Sequence, residues 1–249
     1  MIDRFLTALA FLTRIPVRRA ASTPKAIGQS ASMFPLVGAL VGAAEVLVLL
    51  MCRRALPPML TATVIVLTGI MLTGALHLDG LADTMDGFGG GRTRDDVLRI
   101  MRDHSIGTYG AVALIVTLLL QISAIASLVE REAAAGFLVV APAASRWAMV
   151  LLGRRLPYAR PDAGLGRALT DHVRDREVLV STGLVLAIAV LLQRGSGIIS
   201  LALTLAVTVG AGFACWRRIG GITGDTLGAT AVLCETIVLV AAVGQSGQP

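Results

Sequence analysis

Hydrophobic runs dominate this chain, and its polar residues fall in the gaps between them. Seven runs are continuous, apolar and close to the roughly 20 residues that a helix needs to cross a bilayer. They cover residues 33–51, 59–78, 109–129, 133–152, 178–193, 197–215 and 226–244. None alternates with the period of two that a membrane strand requires. The fifth is short and tilts little or extends into its flanks. Residues 1–30 read differently. The apolar stretch Phe5–Leu12 is short, no small-residue cleavage site follows it, and Arg18 and Arg19 come after it rather than before. That order fits a retained amphipathic helix at the membrane interface better than a cleaved signal. The pattern predicts an all-α polytopic membrane protein, with about seven transmembrane helices plus an N-terminal interfacial helix. It forms a single membrane domain whose longer loops are 79–108, 153–177 and 216–225.

Composition agrees. Of 249 residues, 55% are hydrophobic and 15% charged, against about 25% charged in soluble domains, and the mean hydropathy is +0.78. These values exclude a disordered chain, a coiled coil and a disulfide scaffold. Cys52, Cys215 and Cys234 are far apart in sequence and read as small apolar side chains. The net charge of +6 raises nucleic acid, but with 4% aromatic residues a base-stacking platform is not expected. The cations have another task. Seventeen Lys and Arg fall before the first run and after the even-numbered ones, four fall in the remaining gaps, and Arg146 lies inside the fourth run. The positive-inside rule then places the N-terminus and the long loops in the cytoplasm and the C-terminus outside.

Acids are few, so their grouping is informative. In HLDGLADTMDGFGGG, Asp79, Asp83 and Asp86 are spaced i, i+4, i+7, within about 60° of arc on one helical face. No Lys or Arg is interspersed from His77 to Gly91. Three carboxylates on one face repel unless a cation lies between them, and oxygen donors favour a hard ion, Mg²⁺ or Mn²⁺. Gly87, Gly89, Gly90 and Gly91 follow, and a glycine-rich loop lets backbone N–H groups approach a phosphate. Arg92, Arg94, Arg99 and Arg102 are candidate phosphate partners or only orient the protein. Thr93 and Asp96 read as a capping box for a short helix ending near Asp103. A second glycine-rich patch, RRIGGITGDTLGA, carries Asp225 as its only acid, on the same predicted side as the other three. It is a candidate metal or hydroxyl ligand, while Thr223 or Asp225 is also a candidate helix cap.

Glu45, Arg146 and Glu235 lie within apolar runs, where charge is costly and faces a partner or a polar cavity. Arg146 and Glu235 are a candidate pair, and Glu45 has no assigned role. His77 is a candidate ligand, proton carrier or structural hydrogen-bond partner, and His104 and His172 are expected at the surface.

The segments LHLDGLADTMDG, RIMRDHSIGTYG and RIGGITGDTLGA, with ALAFLTRIPV near the N-terminus, FPLVG at Phe34–Gly38 and the Ser145-Arg146 pair, resemble the cobalamin synthase family, the adenosylcobinamide-GDP ribazoletransferases of bacterial vitamin B12 assembly. The likeness runs over nearly the whole chain. It implies a Mg²⁺-dependent enzyme of the bacterial inner membrane that joins adenosylcobinamide-GDP to α-ribazole or its 5′-phosphate and releases GMP. In the implied phosphoryl transfer, Asp79, Asp83 and Asp86 hold one or two metal ions, and one of them or Asp225 takes the hydroxyl proton. The glycines, with Arg102 or Arg146, receive phosphate. Further substrate contacts are implied at His77, Asp103, Thr223, Gly224 and Glu235. A homo-oligomer or other cobalamin-assembly enzymes are candidate partners beside the lipid bilayer. Two positions depart from the family pattern: His104 stands where serine is common, and Val232 stands where relatives often carry a glutamate. Two other readings of the carboxylates make different demands. A CDP-alcohol phosphotransferase-like lipid enzyme would place arginine where Asp83 stands and carry a later aspartate pair. A transporter would place its polar groups near the bilayer midplane.

Overall fold

A computed structural model describes residues 1–18, 20–103, 105–161 and 164–246. Arg19, counted among the orienting cations, and His104, expected at the surface, lie outside the described residues. The elements are α1 (Ile2–Leu12), α2 (Pro24–Ser30), α3 (Phe34–Cys52), α4 (Pro58–Thr73), α5 (Leu76–Gly90), α6 (Arg94–Ile100), α7 (Thr108–Glu130), α8 (Ala134–Arg155), α9 (Leu165–His172), α10 (Asp175–Ile219) and α11 (Gly224–Gln245). Among the described residues there is no strand, only an isolated parallel bridge between Tyr158 and Ile222. The fold is all-α, and its helices are those of a polytopic membrane protein.

Five helical stretches are long and apolar enough to cross a bilayer, and the bent pair α4–α5 makes a sixth. One of the five, α10, has 45 residues, about 67 Å of helix at 1.5 Å per residue and over twice the hydrocarbon thickness of about 30 Å. Two helices meet within it at Arg194, where φ is 48° and ψ −121°. The chain doubles back there. A Cβ on Gly197 would lie 2.2 Å from the carbonyl oxygen of Ala189, whereas residues eight apart in a straight helix are about 12 Å apart. The expected runs 178–193 and 197–215 are the two arms of this hairpin.

The expected span 59–78 is corrected. Helix α4 stops at Thr73, Gly74 and Ala75 take left-handed φ values of 64° and 59°, and α5 leaves at 90°. The Gly74 N–H caps the carbonyls of Ile70 and Met71. The Arg14 backbone N–H donates to Leu72 O at 2.7 Å, and the Arg14 side chain covers Gly74 so closely that a Cβ would meet it at 2.5 Å. The carbonyls freed by the break are thus satisfied from within the protein, the condition under which a membrane helix breaks. Helix α5 therefore runs at a right angle to α4 and packs against α11 and α7.

Helix α8 is the most enclosed of the candidate spans and packs against α3, α10 and α11. Its close approach to α3 depends on Gly38 and Gly42, four residues apart. A Cβ on either would sit 2.3 Å from Pro142 O or 2.1 Å from Leu138 O, a small-residue seam of the kind that brings membrane helices together. Helix α1 buries Ala8, Leu9 and Leu12 against the bundle, with Phe11 stacked on Phe34 at 5.7 Å between centroids. Exposed leucines and valines such as Leu119, Leu191 and Val209 face outward, where bilayer rather than water is their complement. All three cysteines are free; Cys215 and Cys234 are buried and Cys52 half-buried. His172, expected at the surface, is half-buried against Gly28 of α2.

Candidate functional site

The site is built where α5 crosses the start of α11. Gly80 and Gly228 set that crossing. A Cβ on Gly80 would lie 2.6 Å from the backbone oxygen of Asp225, and one on Gly228 would lie 3.2 Å from His77 Cα. The start of α11 is fixed by Thr223, whose hydroxyl accepts from Thr226 N at 3.2 Å while Thr226 returns the bond to Thr223 N at 2.8 Å. This is the expected cap, and it holds Gly224 and Asp225 in the first turn.

Asp225 is gripped by Arg160. The guanidinium donates to Asp225 Oδ2 at 2.7 Å, with Thr223 Oγ1 adding a bond at 3.3 Å. Arg160 comes from the loop after α8, which is pinned to the start of α11 by Ala159 N to Ile222 O at 2.8 Å and Ile222 N to Pro157 O at 2.9 Å. Asp83, on α5, is half-buried. Burial first, then the neighbouring Asp79 and Asp225 charges, push its carboxyl up to about 6, with Arg160 opposing. Tyr158 is also pushed up by burial, and the charges of Arg160 and Arg102 hold it back. Asp79, Tyr158, Arg160 and Asp225 line a cavity of about 200 Å³.

Asp86 has a different environment from the other two aspartates of its motif. Its carboxylate accepts from Gly107 N at 2.7 Å and Gly110 N at 2.8 Å, so it caps the start of α7. Among the described residues, no three His, Cys, Asp or Glu side chains come together closely enough to hold a metal ion by themselves. The expected glycine-rich loop is instead helix: α5 continues to Gly90, and Gly91 ends it. The missing side chains admit neighbours, since a Cβ on Gly87 would meet Met101, one on Gly89 the Tyr109 ring, and one on Gly91 the Val97 side chain. Gly90 has ordinary room, with Ile100 at 3.4 Å.

Several cations of the region are also engaged. Arg218 donates to Phe88 O, and to Gly91 O at 2.9 Å, closing the end of α5. Arg94 donates to Ile219 O at 2.8 Å and Ala159 O at 2.6 Å, closing the end of α10. Thr93 and Asp96 form the expected reciprocal cap of α6, and hydrogen bonds from Thr93 hold the Asp96 carboxyl below its usual value. In the loop that follows, Asp103 Oδ1 accepts from Ser105 N at 2.9 Å, and the Arg102 N–H donates to Arg99 O at 3.1 Å.

Arg146 and Glu235 do pair, but away from the aspartates. Arg146 donates to Glu235 Oε2 at 2.5 Å and to Ser145 Oγ at 2.8 Å. They line a second, smaller cavity of about 50 Å³ within the bundle, together with Glu45 and Gln121. Gln121 donates to Thr236 at 2.9 Å. Glu45, left without a role by the sequence, therefore shares a polar chamber with the pair. His77 lines both cavities and its Nε2 is buried without a hydrogen-bond partner. The structure thus divides the expected residues into an aspartate group and an Arg146–Glu235 group, with His77 between them. Sequence reasoning missed Arg160 and Tyr158. Their one signal was a tyrosine, one of only two in the chain, set among arginines between Pro157 and Pro161.

Comparison with known proteins supplies the family. The family model described as cobalamin-5-phosphate synthase matches residues 4–243. The chain belongs to the cobalamin-5-phosphate synthase family. Among its curated relatives, proteins named adenosylcobinamide-GDP ribazoletransferase are 38% identical in Syntrophobacter fumaroxidans, over 97% of this chain and 98% of the relative. The corresponding protein of Pseudomonas aeruginosa is 41% identical, over 95% and 96%. That of Klebsiella pneumoniae is 40% identical, over 97% and 99%. No solved structure matches the chain. Membership decides between the readings that the aspartates alone left open, since the match reaches from within α1 to within α11.

Proposed function

We propose that this membrane protein is an adenosylcobinamide-GDP ribazoletransferase, catalysing the late step of cobalamin synthesis in which ribazole displaces GMP from adenosylcobinamide-GDP. The observation that carries the reading is a cavity lined by Asp79 and Asp225, with Asp83 close enough to feel both charges, in a chain whose relatives of near-equal length bear that name.

The ribazole 3′-hydroxyl oxygen forms a bond to the phosphorus attached to cobinamide, the bond from that phosphorus to the bridging oxygen breaks, and GMP leaves with the electron pair. The hydroxyl proton goes to a carboxylate of the cluster. Asp225 is held by Arg160 and Thr223, which fix its position while leaving its second oxygen for a hydroxyl. Arg160 and Arg102 place positive charge beside the cavity, where phosphate charge is to be received.

Asp79 and Asp83 fit a hard divalent ion, magnesium or manganese. Asp83 is half-buried among the like charges of Asp79, Asp225 and Asp86 and opposed by a single guanidinium, a site that a cation completes. Magnesium needs no closed cage of protein ligands, because one or two carboxylates with substrate phosphates and water suffice. When bound, such an ion offsets charge on a diphosphate and its leaving oxygen. Asp86 then acts by holding α5 to α7 rather than as the third ligand. By the distribution of Lys and Arg, the N-terminus and the aspartate face lie in the cytoplasm of a bacterial inner membrane.

The test uses purified protein in nanodiscs with Mg²⁺, adenosylcobinamide-GDP and α-ribazole or its 5′-phosphate, with GMP and cobalamin product read by chromatography. Metal-dependent GMP release that stops with EDTA is expected. Well-folded protein that releases none overturns the reading.

A further inference from the structure

The name carried by the relatives implies two substrates of very different size, and the cavity beside the aspartates discriminates between them. At about 200 Å³ it encloses a small flat heterocycle. A corrin macrocycle bearing a nucleotide on one side and an adenosyl group on another is several times too large. Its lining combines the polar side chains of Asp79, Arg160 and Asp225 with a larger apolar share that includes Phe11, Leu76 and Met149. Tyr158 adds an aromatic ring to the lining, and Gly224 and Gly228 add positions without a side chain, where a planar base meets no Cβ.

Guanine is the other planar base in the reaction. Its edge carries several donors and acceptors, and seating that edge against Leu76, Met149 and Phe11 would bury them without partners, at a cost in binding. Ribazole is a benzimidazole nucleoside whose outer edge is methylated and apolar. With that edge against the apolar side chains, its ribose is left for Asp79 and Asp225, beside which a hydroxyl must lose a proton. His77, whose Nε2 is buried without a partner, also lines the cavity.

We infer that the cavity between α1, α5, the loop after α8 and the start of α11 is the ribazole pocket, with Leu76 and Tyr158 as its specificity-determining side chains and the corrinoid substrate approaching from outside it. This rests on the proposed transferase activity, and it assigns that activity's smaller substrate to one enclosed site.

The experiment measures α-ribazole binding by the full-length protein in nanodiscs, without corrinoid, through the fluorescence of the benzimidazole, with GMP and GDP as comparison probes. Steady-state KM values for both substrates are measured alongside. The variants are Leu76→Trp, Tyr158→Ala and Tyr158→Phe. Leu76 is 41% exposed, so a larger side chain there is accommodated by the fold while narrowing the cavity, and thermal unfolding checks each variant. Wild-type protein is expected to bind α-ribazole but not GMP in this pocket. Leu76→Trp and Tyr158→Ala are expected to weaken α-ribazole binding roughly tenfold, the scale of a lost base–aromatic stack, and Tyr158→Phe to restore it. The KM for α-ribazole should rise while that for adenosylcobinamide-GDP stays put. Folded variants with wild-type ribazole affinity, or a rise confined to the adenosylcobinamide-GDP KM, overturn the pocket assignment and leave the activity standing. Wild-type protein without turnover overturns the activity and the pocket with it.

Discussion

The chamber shared by Glu45, Arg146 and Glu235 makes an ordering prediction that a simple two-residue ion pair does not. Arg146 is the only cation lining a cavity that also holds two carboxylates, and it is 4% exposed. Replacing it with methionine fills similar space but leaves both acids buried with no opposing charge. Breaking a buried pair in this way costs about 3–5 kcal/mol, on the order of a 10 °C fall in Tm for a chain this size. Glu235→Gln is different. It keeps the shape and leaves Arg146 facing Glu45, so the loss is that of one charge-assisted hydrogen bond, about 1.5 kcal/mol. The double variant Arg146→Met with Glu235→Gln removes one stranded acid and should be more stable than Arg146→Met alone. Thermal unfolding of the three variants in one detergent, followed by tryptophan fluorescence or light scattering, gives the ranking. The reasoning is refuted if Glu235→Gln costs as much as Arg146→Met, or if the double variant recovers nothing, since Glu45 would then play no part in balancing the guanidinium.

The aspartates make further predictions. Asp83→Asn should abolish turnover yet stabilise the metal-free protein at pH 7.5. An aspartate raised to about 6 in the fold, above its unfolded value, makes the native state gain stability as pH falls from about 7 toward 4, and the asparagine variant should lack that slope in a Tm-against-pH series. Asp86→Asn should destabilise the fold by about 1–3 kcal/mol through loss of its bonds to Gly107 and Gly110, whereas Asp79→Asn should leave Tm near wild type and remove activity. Gly80→Val should eliminate turnover by forcing α5 off α11, while Gly183→Ala, where an added Cβ meets nothing within 4 Å, should be silent in the same assay.

The spans were legible because a bilayer demands long apolar runs, and residues 109–129 and 133–152 lie within α7 and α8 to within a residue at the start of the latter. The hairpin at Arg194 was legible for the same reason, as a single basic gap between two runs. The break at Gly74–Ala75 was not, because Met71–Leu78 stays largely apolar across it and Ala75 gives no hint of a left-handed backbone. What ends α4 there is Arg14, some sixty residues earlier in the chain. The spacing of Asp79, Asp83 and Asp86 correctly implied one helical face, but spacing along a helix does not say which neighbour each carboxylate meets. Asp86 bonds to the start of α7, whereas Asp79 lines the cavity. The grip of Arg160 on Asp225 spans 65 residues of sequence, beyond any local pattern. The glycines after Asp86 signalled close approach, as they should, but to α6 and Tyr109 rather than to a loop-bound phosphate.

The two ends of the bundle are unequal. At the end away from the aspartates, α3 and α4 are joined by residues 53–57, α7 and α8 by 131–133, and the arms of α10 by Arg194 alone. Biogenesis inherits this asymmetry. In the orientation proposed above, each pair of neighbouring helices enters the membrane as a hairpin with a short connection, and among the loop cations only Arg53, Arg54, Arg131 and Arg194 make the passage. Lengthening one of those connections would burden insertion long before it disturbed any residue around the aspartates.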